Sequence, residues 1–121
     1  MSKKILLVDD SKTALMLEQL ILEMNYTIIS AQDGQEAVEK ALAESPDLVL
    51  MDVVMPRMNG FQACKQLRDN KATCGIPVIL VTTKGQEEDV VAGFEHGCSD
   101  YLTKPIYEQE LLTMVKAYLG E

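Results

Sequence analysis

Asp9, Asp10, Asp52, Thr82 and Lys104 each stand where a short apolar run gives way to polar residues. Three carboxylates gathered at one point repel one another and are costly to bury unpaired, so a cation must join them. Carboxylate oxygens are hard ligands. Mg²⁺ suits them better than zinc, and it keeps waters or phosphate oxygens in its shell. A hydroxyl and an ammonium opposite such an ion, here Thr82 and Lys104, supply donors for the oxygens of a phosphoryl group, whose charge must be spread over metal and protein. One carboxylate would then act as nucleophile, since aspartate can form an aspartyl-phosphate. Asp52 is the candidate: it sits centrally, and the loop 53–60 follows it, with Asn59-Gly60 suited to a tight turn. The Asp9-Asp10 pair alone carries little weight, whereas three acids converging from two chain segments carry a good deal.

Convergence needs a scaffold. Ile5-Leu6-Leu7-Val8 runs into Asp9-Asp10, Leu48-Val49-Leu50-Met51 into Asp52, Val78-Ile79-Leu80-Val81 into Thr82-Thr83, and Tyr101-Leu102-Thr103 into Lys104-Pro105. Such runs read as strands buried on both faces, as in a parallel sheet. In open α/β sheets the carboxyl ends of the strands are where ligands bind. Thr27–Ala31 reads as a further strand. Between the strands lie helical patterns. The first is capped by Ser11, with Leu17, Leu20, Ile21 and Met24 at helical spacing, and is ended by Asn25, a residue that tolerates the left-handed conformation. The second starts at Asp33-Gly34, with Ala37, Val38, Ala41 and Leu42 on its apolar side, and Pro46 closes the gap to the next strand. The third opens near Gly60 and buries Phe61, Cys64 and Leu67. The fourth runs from about Gln86 to His96 with Val90, Val91 and Phe94, and Gly97 caps it. The last, about Tyr107 to Leu119, turns Leu111, Leu112, Val115 and Leu119 to the sheet. Alternating strands and helices with short links predict an α/β fold, a doubly wound five-stranded parallel sheet with five helices.

At 121 residues, 47% hydrophobic and 25% charged, the chain has the makeup of an ordinary globular protein, and a single domain over residues 1–121 with no second domain attached is expected. The net charge of −8 argues against a nucleic-acid partner, which would need clustered Lys and Arg, and fits a basic partner surface or a divalent cation. An acid excess on a solvated surface also simply aids solubility. Cys64, Cys74 and Cys98 have neither disulfide-framework nor zinc-site spacing. Cys64 and Cys98 read as small buried hydrophobes in a reducing compartment. No segment resembles a signal peptide or a membrane span, so a cytoplasmic protein is expected. His96, beside the helix-ending Gly97, reads as a helix-end cation rather than a metal ligand or phosphodonor. The methionines from Met16 to Met114 are scattered and read as core or loop filling.

Taken together, Val8-Asp9-Asp10-Ser11, Met51-Asp52-x-x-Met55-Pro56-x-Met58-Asn59-Gly60, Val81-Thr82-Thr83 and Tyr101-Leu102-x-Lys104-Pro105 resemble the motifs of a response regulator receiver domain of the single-domain chemotaxis type, over essentially the whole length. The stretches 51–56, 60–64 and 82–87 are further similar to regulators of type IV pilus twitching systems. The resemblance implies the flavodoxin-like receiver fold and a place in two-component signalling, with Asp52 taking a phosphoryl group from a sensor histidine kinase. It implies that Asp10, Asp52 and the Val54 carbonyl bind Mg²⁺, with Asp9 assisting through water, and that Thr82 and Lys104 hold the phosphoryl oxygens. It implies a cis Lys104-Pro105 bond, which proline makes accessible. Phosphorylation would draw Thr82 inward and let Tyr101 swing in, changing the face of the fourth helix, fifth strand and fifth helix for a downstream protein. A monomer is expected, with dimerisation on phosphorylation left open. Thr83 stands where many members have Ala or Gly, so its bulk could restrict access to Asp52. Val54 and Lys84 occupy positions that modulate loss of the phosphoryl group in this family, and Val54 cannot orient a water by hydrogen bonding.

Other functions fit less well. A haloacid-dehalogenase-type hydrolase needs a second acid two residues after its nucleophile, where this chain has Val54. No G-x-G-x-x-G follows the first strand, which excludes a dinucleotide-binding enzyme. The remaining alternative is an unphosphorylated scaffold, although such modules typically lack one of the residues present here. The expectation is a phosphorylation switch, not an enzyme beyond its own phosphorylation and dephosphorylation.

Overall fold

The computed structural model describes residues 2–83 and 87–120, and the side chains of all of these except 87–90. Five strands and five helices alternate: β1 (Lys4–Val8), α1 (Lys12–Leu22), β2 (Thr27–Ala31), α2 (Gly34–Glu44), β3 (Leu48–Asp52), α3 (Gly60–Asp69), β4 (Val78–Thr83), α4 (Glu87–Glu95), β5 (Asp100–Lys104) and α5 (Glu108–Leu119). The strands form one parallel sheet in the order β2-β1-β3-β4-β5. This is the doubly wound fold expected from the alternation of apolar runs and helical patterns.

Because side chains alternate across a strand, each apolar run feeds two cores at once. Leu6, Val8, Val49, Met51, Val78 and Leu80 pack with Ala37 and Ala41 of α2 and with Ala63, Cys64 and Leu67 of α3. Ile5, Leu7, Leu48, Leu50, Ile79 and Val81 face the other way, toward Leu15 and Leu22 of α1 and Leu111, Val115 and Leu119 of α5. α4 joins the first layer through Gly93, where a Cβ would lie 3.0 Å from Leu80 and 3.2 Å from the Cys98 sulfur.

Caps were largely legible. Ser11 accepts from the Ala14 N–H, and Asp33 accepts from the Glu36 N–H. Gly97 ends α4 at φ 98°, with its N–H on the Phe94 carbonyl. His96 Nδ1 bonds the Ala92 carbonyl at that same helix end, and its ring stacks on Phe61. Asn59 differs from the reading of a tight turn: it caps α3 in a reciprocal capping box with Gln62. Asn25 is not left-handed, since the described non-glycine residues with positive φ are Ser45 and Arg57. α1 instead closes through a turn in which the Glu23 N–H bonds the Gln19 carbonyl.

Three apolar faces were misplaced. Leu17, Leu20 and Met24 are exposed, as is Met16, so core filling does not account for these two methionines. The buried face of α1 is Leu15, Glu18 and Leu22. α1 is apolar almost all round, and periodicity alone does not select a side. Leu42 is exposed on α2, and Val91 and Phe94 are exposed on α4. Lys84, Gln86 and the side chain of Val90 lie outside the described residues.

Candidate functional site

Strand register brings the charges together. Val8 is opposite Met51, so Asp9 and Asp52, each the next residue, emerge side by side from β1 and β3. These adjacent strands leave the sheet in opposite directions along its edge, the switch point where a parallel sheet opens a crevice. Asp9, Asp10 and Asp52 each offer a carboxylate oxygen within 4.8 Å of the others. Asp9 is 1% exposed and Asp52 9%, whereas Asp10 faces solvent. Opposite them β5 delivers Lys104, whose Nζ donates to Asp9 Oδ2 at 3.2 Å and to Asp52 Oδ2 at 3.1 Å. Lys104 precedes Pro105 through a cis bond, as expected.

The local backbone supports these side chains. Asp9 Oδ1 accepts the Ser11 N–H at 2.9 Å, which turns the chain from β1 into α1. Asp52 Oδ1 accepts the Val54 N–H at 3.3 Å, beneath a Val54 side chain that is mostly exposed. Thr82, at the end of β4 beside Thr103, is 3% exposed, and its hydroxyl has no hydrogen-bond partner among the described residues. Thr83 is exposed. Tyr101 lies farther off, on the outer side of β5, where it is 38% exposed and meets Phe94 edge-on at 6.2 Å between ring centroids.

Burial pushes the Asp52 carboxyl above its ordinary 3.8, and the charge of Asp9 adds to this, against Lys104 and the Val54 N–H. Burial works the other way on Lys104, but Asp52 and Asp9 overcome it and raise its affinity for the proton. With three carboxylates and one ammonium, the cluster is two charges short of neutrality. A divalent ion bound by hard oxygens balances it, and Mg²⁺ fits the donor set.

Reading the sequence missed Glu18. It sits between Leu15 and Leu22 on the buried face of α1, 5% exposed. Desolvation raises its carboxyl to about 8, and the charges of Asp9 and Asp52 assist while Lys104 opposes. It has no hydrogen-bond partner among the described residues, so burial favours the neutral acid. The signal was present, because Leu15, Glu18 and Leu22 share one helical stripe.

A family model described as the response regulator receiver domain matches residues 5–116. Protein PilH of Pseudomonas aeruginosa is 48% identical over 118 residues, 97% of this chain and 98% of that protein. The alkaline phosphatase synthesis transcriptional regulatory protein PhoP of Bacillus subtilis is 45% identical over 120 residues, and this chain spans about half its length, 49%. Among solved structures, a candidate response regulator of Chloroflexus aurantiacus superposes with a TM-score of 0.95 at 34% identity, over 100% of both chains. The receiver domain of the sensor histidine kinase PA1611 of Pseudomonas aeruginosa, with a magnesium ion coordinated in its active site cleft, superposes with a TM-score of 0.92 at 27% identity, again over 100% of both.

Proposed function

Since this chain belongs to the response regulator receiver domain family, the phosphoacceptors of two-component systems, we propose that Asp52 is the residue that takes the phosphoryl group and that Asp9, Asp10, Thr82 and Lys104 serve the transfer. One observation carries the assignment: three carboxylates within 4.8 Å of one another, two of them bonded to one lysine.

The donor is a phosphohistidine of a sensor kinase, the class with which receivers exchange phosphoryl groups. A carboxylate oxygen of Asp52 attacks the phosphorus, the P–N bond breaks as the P–O bond forms, and the electron pair returns to the imidazole nitrogen. Lys104, already on Asp52 Oδ2, is within reach of the new phosphoryl oxygens, and the Thr82 hydroxyl, which has no hydrogen-bond partner among the described residues, donates to another. Asp10, Asp52 and the Val54 carbonyl would hold Mg²⁺, with Asp9 assisting. Mg²⁺, when bound, neutralises charge on the phosphoryl oxygens. Beyond this self-modification the domain is not an enzyme.

Drawing Thr82 toward the phosphoryl group frees space for Tyr101, whose ring rests against Phe94 on the surface that β5 shares with α4. That surface, continued by α5, is the face offered to a downstream protein, and the added charge biases a two-state equilibrium there. The reading takes residues 1–121 as one receiver domain, monomeric before phosphorylation. A cytoplasmic location belongs to it and rests on family membership.

Intact mass after incubation with acetyl phosphate and Mg²⁺ tests the core of this reading. Wild type is expected to gain one phosphoryl group and Asp52→Asn none. No gain in a folded wild-type protein that binds Mg²⁺ would favour the unphosphorylated scaffold instead.

A further inference from the structure

The loop between β3 and α3 reaches the site through Val54, yet much of what fixes it lies behind it, on α2. The Gly34 N–H, at the first position of α2, donates to the Met58 carbonyl at 3.1 Å. A Cβ on Gly34 would stand 2.2 Å from that same oxygen and 2.9 Å from the Met58 carbonyl carbon. No side chain fits there unless the loop moves. One residue earlier, Asp33 Oδ1 both caps α2 on the Glu36 N–H and meets the Arg57 guanidinium at 3.3 Å. Arg57 holds φ at 67°, a left-handed conformation that its own side chain disfavours and that persists only where the surroundings impose it. The other end of the loop is equally tight: the Gly60 N–H bonds the Val53 carbonyl at 2.8 Å, and a Cβ on Gly60 would lie 2.5 Å from the Asp52 carbonyl oxygen.

We infer that the N-terminus of α2 braces this loop, and that Gly34, with the Asp33–Arg57 pair, positions the backbone around Val54 for the metal. The inference rests on the proposed Mg²⁺ site. Gly34 touches neither the carboxylate cluster nor Lys104 in any described hydrogen bond or ion pair. It acts through Met58, four residues beyond Val54. Groups that orient metal ligands from outside the coordination sphere commonly govern affinity, so the register of this loop is a determinant of Mg²⁺ binding.

The test is Mg²⁺ titration of the unphosphorylated full chain by calorimetry, with backbone amide spectra to report the fold. Gly34→Ala is expected to remain folded, to shift the Val54 and Met58 amide resonances, and to bind Mg²⁺ roughly tenfold or more weakly. A folded Gly34→Ala with wild-type affinity would overturn the brace. Should that variant not fold, Asp33→Asn decides the matter: asparagine keeps the cap but loses the ion pair, so affinity is expected to fall about twofold to fivefold, and wild-type affinity would overturn the proposal. Asp10→Asn separates the two levels. If it too binds normally, the metal reading fails and the brace with it; if it alone loses binding, only the brace fails.

Discussion

Glu18 and Lys104 are both ionisable groups near the acidic cluster, and among the described residues only Lys104 has hydrogen-bond partners. Lys104 bonds two carboxylates, while Glu18 bonds nothing described and is held as a neutral acid, its carboxyl raised to about 8. An unpartnered buried polar group costs about 1–3 kcal/mol. Glu18→Leu is therefore expected to stabilise the fold by roughly 1–2 kcal/mol at neutral pH, measured by urea unfolding; a loss would mean that the carboxyl has a partner in solution. The pH dependence follows from the sign of the shift. Between 4.5 and 8 the unfolded chain has released this proton and the native chain has kept it, so stability falls as pH rises. The slope from this group is at most about 1.4 kcal/mol per pH unit. Unfolding at several pH values in wild type and Glu18→Gln checks it, and the variant should lack this component.

At the scale of elements, Arg68 ties three segments together. From the last turn of α3 its Nε donates to the Gly97 carbonyl at 2.7 Å, and its Nη1 donates to the carbonyls of Ile76 at 2.7 Å and Cys74 at 3.2 Å. The loop before β4 and the end of α4 thus hang on one guanidinium. Hydrogen bonds from a charged donor contribute about 1.5–3 kcal/mol each, with losses less than additive. Arg68→Ala should cost about 2–4 kcal/mol, and Arg68→Lys should recover only part, because an ammonium lacks the planar fork. Equal stability of Arg68→Ala and wild type in denaturant titrations would refute the tie. On α1 the exposed Leu17 and Leu20 have the opposite standing. Leu17→Ser and Leu20→Ser should each change stability by no more than about 0.5 kcal/mol, as surface positions do, and a larger loss would restore this face to the core.

For the molecule as a whole, the main imbalance is the charge of the cluster, set in a chain of net charge −8. A ligand that binds only the native state stabilises it by RT ln(1 + [L]/Kd), about 2.7 kcal/mol at a hundredfold excess over Kd. Mg²⁺ should therefore raise the melting temperature, EDTA should reverse the gain, and Asp10→Asn should abolish the response. A melting temperature indifferent to Mg²⁺ would show that the three carboxylates tolerate one another without a metal.

The chain order of apolar runs determined the sheet, because a strand buried on both faces leaves an uninterrupted apolar signature, and β1, β3 and β4 have it. It also determined which residues stand at the strand ends, so the meeting of Asp9, Asp10, Asp52 and Lys104 followed once the strands were taken as parallel neighbours. Only the tertiary structure decided which side of α1 is buried. A helix apolar nearly all round carries two competing stripes, and Glu18 made the true one look polar. The Arg68 tie, the exposure of Phe94 and the brace of Gly34 on Met58 were likewise beyond reach, since each depends on where segments far apart in sequence come to rest. Periodicity reports a residue's neighbours along its own element, and packing between elements selects among the faces that periodicity allows.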